Sequence, residues 1–369
     1  MALPLVPRAI AQQPWTPMIA ASVLAGLGFI TLYSAGGGKL TPWALPHGMR
    51  YGVFLLLALA ISYVRPGWFR DTVVYAYAGV LALLVVVLAV GVVGGGAKSW
   101  LDFGPIRLQP SELMKPILVI ALATFYTMMP PRNIVTFAAI WPAGLMIGIP
   151  VVIILLQPDL GTSLLLTFSG LTTMFLAGLP LRWFIGGGLL VGGAIPAIFP
   201  FLMPHQQERI LILLDPSQDP LGAGYHITQS KIAIGSGGIT GQGFLHGTQT
   251  RGNFIPEHHT DFIFSSLAEE WGLLGGIFML ICLGILLGWG MRVAMRANGR
   301  YEKLAAGGLT SIIFFYAAIN LLMVMGLAPV VGIPLPLVSW GGSSMLTVML
   351  CLGLLMGIDR QNKRDRDRR

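Results

Sequence analysis

Charged residues are scarce in this chain, since Asp, Glu, Lys and Arg make up only 10 % of its 369 residues. A soluble globular protein carries about 25 % charged residues, so this scarcity excludes that class. Hydrophobic residues supply 55 % of the chain and fall in long runs. Because about 20 apolar residues in a helix cross the hydrocarbon core, the composition predicts an all-α polytopic membrane protein.

Several motifs of soluble chemistry are also missing. Cys282 and Cys351 lie in apolar runs without a CxxC motif or a nearby histidine, so they are interpreted as small hydrophobic residues. The segment GSGGITG, residues 235–241, lacks the GK[ST] that follows in a phosphate loop, and no HExxH motif occurs. The net charge of +8 has no aromatic-interleaved basic patch beside it, so nucleic acid is not an expected partner.

The apolar runs predict a single integral-membrane domain over residues 1–369 with about ten helical spans. We expect these spans near 17–34, 47–64, 72–93, 112–129, 134–156, 160–179, 183–203, 262–291, 304–328 and 341–358. An even number of spans leaves both termini on one side, and that side carries fifteen of the 23 basic residues. The positive-inside rule therefore predicts cytoplasmic termini, with the basic tail 359–369 as a cytosolic end that is too polar to fold alone and touches anionic lipid.

One large polar segment, residues 204–261, separates the seventh and eighth spans and is predicted to be extracytoplasmic. It contains five carboxylates: Glu208, Asp215, Asp219, Glu257 and Asp261. Asp261 stands directly before an apolar run, so we expect it on the first turn of a helix at the membrane surface. There it should be ionised at neutral pH and able to act as a general base.

Glycines 235–243 follow an apolar-spaced stretch, which suggests a helix along the membrane surface that ends in a glycine turn. Backbone amides gathered by such a turn could help to bind a diphosphate. His258 and His259 lie close to Glu257 and Asp261, but adjacent histidines point to different sides of the backbone. The sequence therefore requires no cofactor and predicts no fixed metal site, although a loosely held Mg or Mn ion could bridge a carboxylate and a diphosphate.

Two further polar clusters lie at predicted helix starts. Glu112 and Lys115 are three residues apart after Pro110, so they face the same way. They form either an internal pair that fixes packing or a site for an anionic substrate. In the second cluster, residues 157–163, Asp159 lies at a tight turn that opens a helix. It acts there either as a helix cap or as a neighbour of Lys115 or of a substrate hydroxyl.

These residues suit transfer of a sugar from a lipid diphosphate. A carboxylate such as Asp261 would take the proton of an attacking sugar hydroxyl, and one carboxylate suffices for a single inverting displacement. The negative charge that develops on the departing diphosphate needs cations. The available cations on the predicted outer side are Lys115, Lys231, Arg107 and Arg209.

The motifs GPIRLQPSE, QPDLGTS, YHITQSKIAIGSGG, GFLHGTQ, HHTDFIF and PLPLVSWGGSS resemble the SEDS family of cell-wall polymerases, most closely its elongation member. They occur in the family's order along nearly the whole chain. The resemblance implies a ten-helix fold and peptidoglycan glycosyltransferase activity on lipid II, at the outer face of the bacterial inner membrane during elongation. It also implies two kinds of partner: a class B penicillin-binding protein that crosslinks the glycan, and other membrane proteins of the elongation complex.

In this family the aspartate of the HTDF motif is taken as catalytic, and it matches Asp261. The resemblance assigns substrate binding to Glu112, Lys115, Asp159, Lys231, Trp100 and Arg107. Two other functions stay open, a lipid II flippase and a scaffold that activates the penicillin-binding protein. Charges grouped at one face and the lack of an inverted hydropathy repeat oppose a flippase. A scaffold would not need Asp261 and Lys115 together on the outer rim.

Overall fold

A computed structural model of the protein describes residues 13–94, 97–102, 104, 107–201, 207, 222–252, 254, 257 and 259–367. In chain order its helices and strands are α1 Trp15–Ala35, α2 Ala44–Tyr63, α3 Pro66–Val90, β1 Val92–Gly94, β2 Ala97–Asp102, β3 Arg107–Leu108, α4 Pro110–Met128, α5 Phe137–Leu155, α6 Leu160–Ala177, α7 Leu181–Ile198, α8 Ala223–Ser236, α9 Thr248–Arg251, α10 Ile263–Arg296, α11 Arg300–Val324 and α12 Gly342–Asp367. Short 3-10 turns occupy Pro131–Asn133 and Phe199–Phe201.

Within those residues, nine helices are long and apolar enough to cross a membrane, which confirms the polytopic all-α class. They are α1 to α6 and α10 to α12. The predicted seventh span coincides with α7, whose apolar stretch Leu181–Ala194 is shorter than the other nine. The total of ten spans stays a prediction. The single domain over 1–369 and the extent of the loop 204–261 stay predictions too, because residues 208–221 lie outside the described part.

The core of the bundle is formed by α4, α11 and α12, which bury most of their residues, while α2, α3 and α5 leave theirs mainly exposed. Small residues bring the central helices together: a Cβ at Gly308 of α11 would lie 2.5 Å from Val119 Cγ1 and 2.6 Å from Thr173 Oγ1. Close approach through small residues is the usual mode of helix association in lipid. The exposed apolar side chains of the outer helices are then the surface that meets hydrocarbon.

A small antiparallel sheet of order β1-β2-β3 links α3 to α4, and sequence periodicity did not predict it. Lys98 of β2 extends back to α3, where its Nζ donates to the carbonyl oxygens of Leu88 (3.0 Å) and Ala89 (3.1 Å). A cation at a helix C-terminus pairs with carbonyls that have no intrahelical partner. The sheet is thereby fixed to the same end of the bundle as the start of α4.

Helix α10 is broken at Gly272, whose φ of 62° is left-handed. The break is filled by the glycine turn 237–243, which follows α8. Backbone amides of Gln242 and Gly243 donate to the carbonyls of Glu269 (2.9 Å) and Glu270 (3.1 Å). In return, the amide of Leu273 donates to the carbonyl of Gly238 (2.9 Å). Backbone groups freed by the break are therefore satisfied by the turn, as a low-dielectric environment requires.

This docking uses the amides of Gln242 and Gly243, which are hydrogen-bonded within the protein, while diphosphate binding by the other amides of the turn stays a prediction. The glycines allow the backbone of the turn to lie close to the backbone of α10. A Cβ at Gly237 would overlap the carbonyl oxygen of Ala268, and one at Gly241 would overlap that of Glu270. Only a residue without a side chain permits such contacts.

The basic tail is helical up to Asp367, but only as a continuation of a membrane span, which agrees with the expectation that it is too polar to fold alone. Helix α12 continues from its span through Asp367. Extending an existing helix adds one hydrogen bond per residue and avoids the cost of nucleation. Lys363 Nζ lies 2.7 Å from Asp359 Oδ2, one helical turn away, and supports this extension.

Candidate functional site

Asp261 lies in the turn that precedes α10, two residues before the helix begins. The prediction that it lies on the first helical turn is corrected accordingly. The helix begins at Ile263 with Phe262 as its N-cap residue. Asn320 of α11 fixes the backbone of this turn, since its Nδ2 donates to the carbonyls of Asp261 (2.7 Å) and Ile333 (2.6 Å). The side chain of Asp261 is half-buried.

The connecting segment 327–341, between α11 and α12, completes this clamp. Ser339 Oγ donates to the carbonyl of Thr260 (2.6 Å), and the amide of Trp340 donates to the carbonyl of His259 (2.9 Å). A Cβ at Gly332 would lie 3.6 Å from Asp261 Oδ2. The segment therefore grips the backbone of 259–261 and passes beside the carboxylate.

Burial raises the pKa of Asp261 to about 7, and the negative charge of Glu257 adds to the rise. The expectation that Asp261 is fully ionised at neutral pH is thus corrected. Desolvation disfavours the charged carboxylate, and the turn position supplies less stabilisation than a first helical turn would. A pKa near the working pH is the value that suits a group which must accept a proton and later release it.

Asp159 caps helix α6, whose start lies against the same segment. Its Oδ1 caps α6 by accepting from the amide of Thr162 (3.0 Å), and its Oδ2 accepts from Gln109 Nε2 (2.9 Å). A Cβ at Gly161 would overlap the carbonyl oxygen of Val331, so the start of α6 packs directly on segment 327–341. Burial raises the pKa of Asp159. The capping role expected from the sequence is confirmed, and both carboxylates lie at one end of the bundle.

Glu112 and Lys115 form a buried pair in which Lys115 Nζ is 2.6 Å from Glu112 Oε1. Their side chains are 7 % and 1 % exposed, respectively. The hydroxyl of Tyr316 donates to Glu112 Oε2, and the Thr347 hydroxyl donates to the same oxygen at 2.7 Å. This geometry matches the internal pair that the sequence allowed, and contact of Lys115 with substrate stays a prediction.

Lys231 lies in α8 with its side chain exposed. A Cβ at Gly326 would lie 2.7 Å from Lys231 Nζ, so the ammonium is next to the C-terminal end of α11. Ser230 anchors this part of α8, because its Oγ donates to the carbonyl of Val324 (2.7 Å) and lies 2.8 Å from Ser265 Oγ. A cation at a helix C-terminus is favourable in itself, so the position alone does not require a ligand.

Trp100 and Arg107 come together in the small sheet. With residues 92–94 they line a pocket of about 240 Å³. Arg107 Nε lies 3.1 Å from Asp102 Oδ2, and both side chains are solvent-accessible. Arg209, the remaining predicted cation, lies outside the described residues. Of the predicted cations that the structure describes, only Lys115 is therefore buried among the helices that also hold Asp159.

Sequence reasoning missed the polar residues that hold these groups. Asn320 and Tyr316 are one turn apart on α11, and polar side chains at this spacing inside an apolar run were the available signal. Glu269 was missed as well. Its carboxylate accepts from the amides of Gln249 (2.7 Å) and Thr250 (3.1 Å) and thereby caps the short helix α9.

The described residues contain no cluster of three or more His, Cys, Asp or Glu that could hold a metal ion, and His258 lies outside them. His259 Nε2 is 4.0 Å from Glu257 Oε2. Its ring stacks on Trp43 with the ring centroids 4.5 Å apart. The stacked ring places this histidine in the packing around Asp261.

Comparison with known proteins identifies the family. The model of the FtsW/RodA/SpoVE family, described as cell cycle protein, matches residues 15–364. Peptidoglycan glycosyltransferase MrdB of Escherichia coli K12 is 44 % identical over 337 residues, 90 % of each chain.

Solved structures agree with the sequence relatives. A chain of a peptidoglycan synthase complex, solved in work on the structural coordination of polymerization and crosslinking, superposes with a TM-score of 0.83 at 32 % identity. The match covers 96 % of this chain and 99 % of that one. The rod shape determining protein RodA of Thermus thermophilus gives a TM-score of 0.71 at 28 % identity, over 95 % and 97 % of the two chains. The protein described here is therefore a multi-pass membrane protein that belongs to the FtsW/RodA/SpoVE family, as its SEDS motifs indicated.

Proposed function

We propose that this chain is a peptidoglycan glycosyltransferase that polymerises lipid II into glycan strands during cell elongation. Curated relatives with 44 % and 30 % identity carry the name peptidoglycan glycosyltransferase. The structural observation that carries the proposal is Asp261, a half-buried carboxylate with a pKa of about 7 that lies beside segment 327–341. A general base works best when its pKa lies near the operating pH.

In the proposed reaction, a sugar hydroxyl of one glycan attacks the anomeric carbon of another. Asp261 takes the hydroxyl proton as the new C–O bond forms. The bond between the anomeric carbon and the diphosphate breaks, and its electron pair leaves with the lipid diphosphate. Because this leaving group is already a stable anion, no acid is needed to protonate it, and a single displacement inverts the anomeric centre.

The substrate-binding roles are part of the proposal. Glu112, Lys115 and Asp159 would shape the inner wall of the site, and Lys231, Arg107, Trp100 and Arg209 would contact the donor lipid or the glycan. A divalent cation, if bound, would screen the diphosphate charge and take carboxylate oxygens from Asp261 and Glu257. Hard cations prefer such oxygen ligands, and the diphosphate would supply others.

We further propose that Asp261 faces the outside of the bacterial inner membrane, with both termini in the cytoplasm. The excess of basic residues on the terminal side supports this orientation. A class B penicillin-binding protein is the proposed crosslinking partner, because the related chain of 32 % identity belongs to a complex that combines polymerization with crosslinking. Other elongation-complex proteins would contact the outer helices.

The test is glycan polymerisation from purified lipid II, with the partner synthase present and with or without a chelator. Wild type should form polymer, and Asp261→Ala should abolish it while the protein keeps its melting temperature. Asp71→Ala is the matched control, since Asp71 is exposed and, within the described part of the chain, its one ion pair is with its neighbour Arg70. Transfer of fluorescent lipid between leaflets without polymer would instead favour a flippase. Full activity of Asp261→Ala would favour a scaffold.

A further inference from the structure

Arg50 of α2 is a cation that the predicted site did not include. It lies on the second turn of α2, at the end of the bundle that holds Asp261, and its side chain is half-buried. Its guanidinium carbon is 4.0 Å from the ring centroid of Trp340. Within the described part of the chain, Arg50 has no carboxylate partner and no hydrogen-bond acceptor. The N–H donors of its guanidinium are therefore available to an anion.

Several other cations at this end of the bundle already have partners within the protein. Lys115 is held by Glu112, Arg107 by Asp102, and Lys98 by carbonyls of α3. Arg251 donates from its Nη1 to the carbonyl of Leu245 at 2.9 Å. Among the described arginines at this end, Arg50 is therefore the one whose guanidinium has no carboxylate or carbonyl partner within the protein.

Trp340 ties Arg50 to the turn that carries Asp261. Its amide donates to the carbonyl of His259, two residues before Asp261, and the Arg50 guanidinium stacks on its indole ring. Stacking on one face leaves the N–H edges of a guanidinium open, in the planar fork that matches a phosphate. A Cβ at Gly342 would lie 3.5 Å from Arg50 Cζ, so the first residue of α12 borders the guanidinium without a side chain to cover it.

We propose that Arg50, stacked on Trp340, is a further binding residue for the diphosphate of the lipid-linked donor. This inference rests on the proposed function and assigns the charge of the departing group to a particular side chain. Segment 327–341 contains Trp340 and is hydrogen-bonded to the turn that carries Asp261. It therefore fixes the position of the Arg50 cation relative to the Asp261 carboxylate. Preorganised donors of this kind stabilise developing charge without reorganisation.

The test is direct binding of two probes to the purified full-length protein in nanodiscs at low salt. One probe is a polyprenyl diphosphate, and the other is the matching neutral polyprenol. Arg50→Gln is expected to weaken binding of the diphosphate by about tenfold or more, the range for losing a charge-assisted hydrogen bond, and to leave polyprenol binding unchanged. Arg50→Lys should fall between wild type and Arg50→Gln, since an ammonium lacks the fork geometry.

Lys39→Gln is the control, because Lys39 is an exposed cation near the same end. Should Arg50→Gln fail to fold, Trp340→Leu leaves the charge in place and is expected to weaken only the diphosphate. Diphosphate affinity equal to wild type in Arg50→Gln, or an equal loss for both probes, would overturn the inference. Since binding needs no turnover, inactivity of the wild type on lipid II would count against the proposed function alone.

Discussion

Replacing Lys115 by Met is expected to destabilise the protein strongly, because Glu112 would stay buried without its counter-ion. The two side chains are 1 % and 7 % exposed. Removing one partner of a buried pair costs about 3–5 kcal/mol of the free energy of unfolding. Hydrogen bonds to Glu112 from Tyr316 and Thr347 remain in the variant and offset part of that cost. We therefore expect the lower end of this range.

The double variant Glu112→Gln with Lys115→Met should recover most of the lost stability. A neutral amide oxygen at position 112 can still accept from Tyr316 and Thr347, and replacing a whole buried pair by neutral groups is often nearly neutral. The expected order of stability is checked by the melting temperatures of the purified variants in one detergent, with Lys39→Met as the exposed control. A Lys115→Met protein that melts like wild type would refute the reasoning.

The same double variant distinguishes the two roles that the sequence left open for this pair. If the pair only fixes packing, polymerisation from lipid II should return together with the melting temperature. If Lys115 also contacts the substrate, stability should return while activity stays lost. Each outcome is read from the same protein preparation.

Two further predictions concern the acid and the glycine turn. The raised pKa of Asp261 means that its base form is lost as the pH falls through about 7, so the rate of polymerisation should drop on the acid side of that value. Glu257→Gln removes a charge that raises this pKa, so the midpoint of the rate–pH profile should move to lower pH; an unchanged midpoint would contradict the electrostatic link. In the turn, Gly237→Ala should lower the melting temperature, because its Cβ would overlap the carbonyl of Ala268. Gly235→Ala is the matched control with open space around its Cβ, and equal melting of the two variants would count against the docked turn.

The docked turn also gives Glu269 and Glu270 a structural explanation. Glu269 caps α9, and Glu270 accepts a hydrogen bond from Ser34 at the end of α1. Both acids end the short helical segment 263–270, which begins just after Asp261 and is buried throughout. The position of the proposed base therefore depends on contacts with α1, α8 and α9 as well as on the clamp by segment 327–341.

The sequence by itself determined the membrane class, the positions of most spans and the end of the bundle where Asp261 lies. These features depend on local composition and on the fixed length that a helix needs to cross hydrocarbon. The order of the spans then brings Glu112, Asp159 and Asp261 to one end, since successive spans alternate in direction. The capping role of Asp159 was also readable, because its partner is only three residues away.

The tertiary structure alone decided the features that depend on residues far apart in the chain. The partners of Glu112 come from α11 and α12, more than 200 residues later, and the free guanidinium of Arg50 becomes visible only beside Trp340. The docking of the glycine turn against the break in α10 also joins residues that are far apart in the chain. The pKa of Asp261 likewise depends on burial. Hydrogen bonding and desolvation depend on which residues are close in space, and the periodicity of the sequence does not predict that.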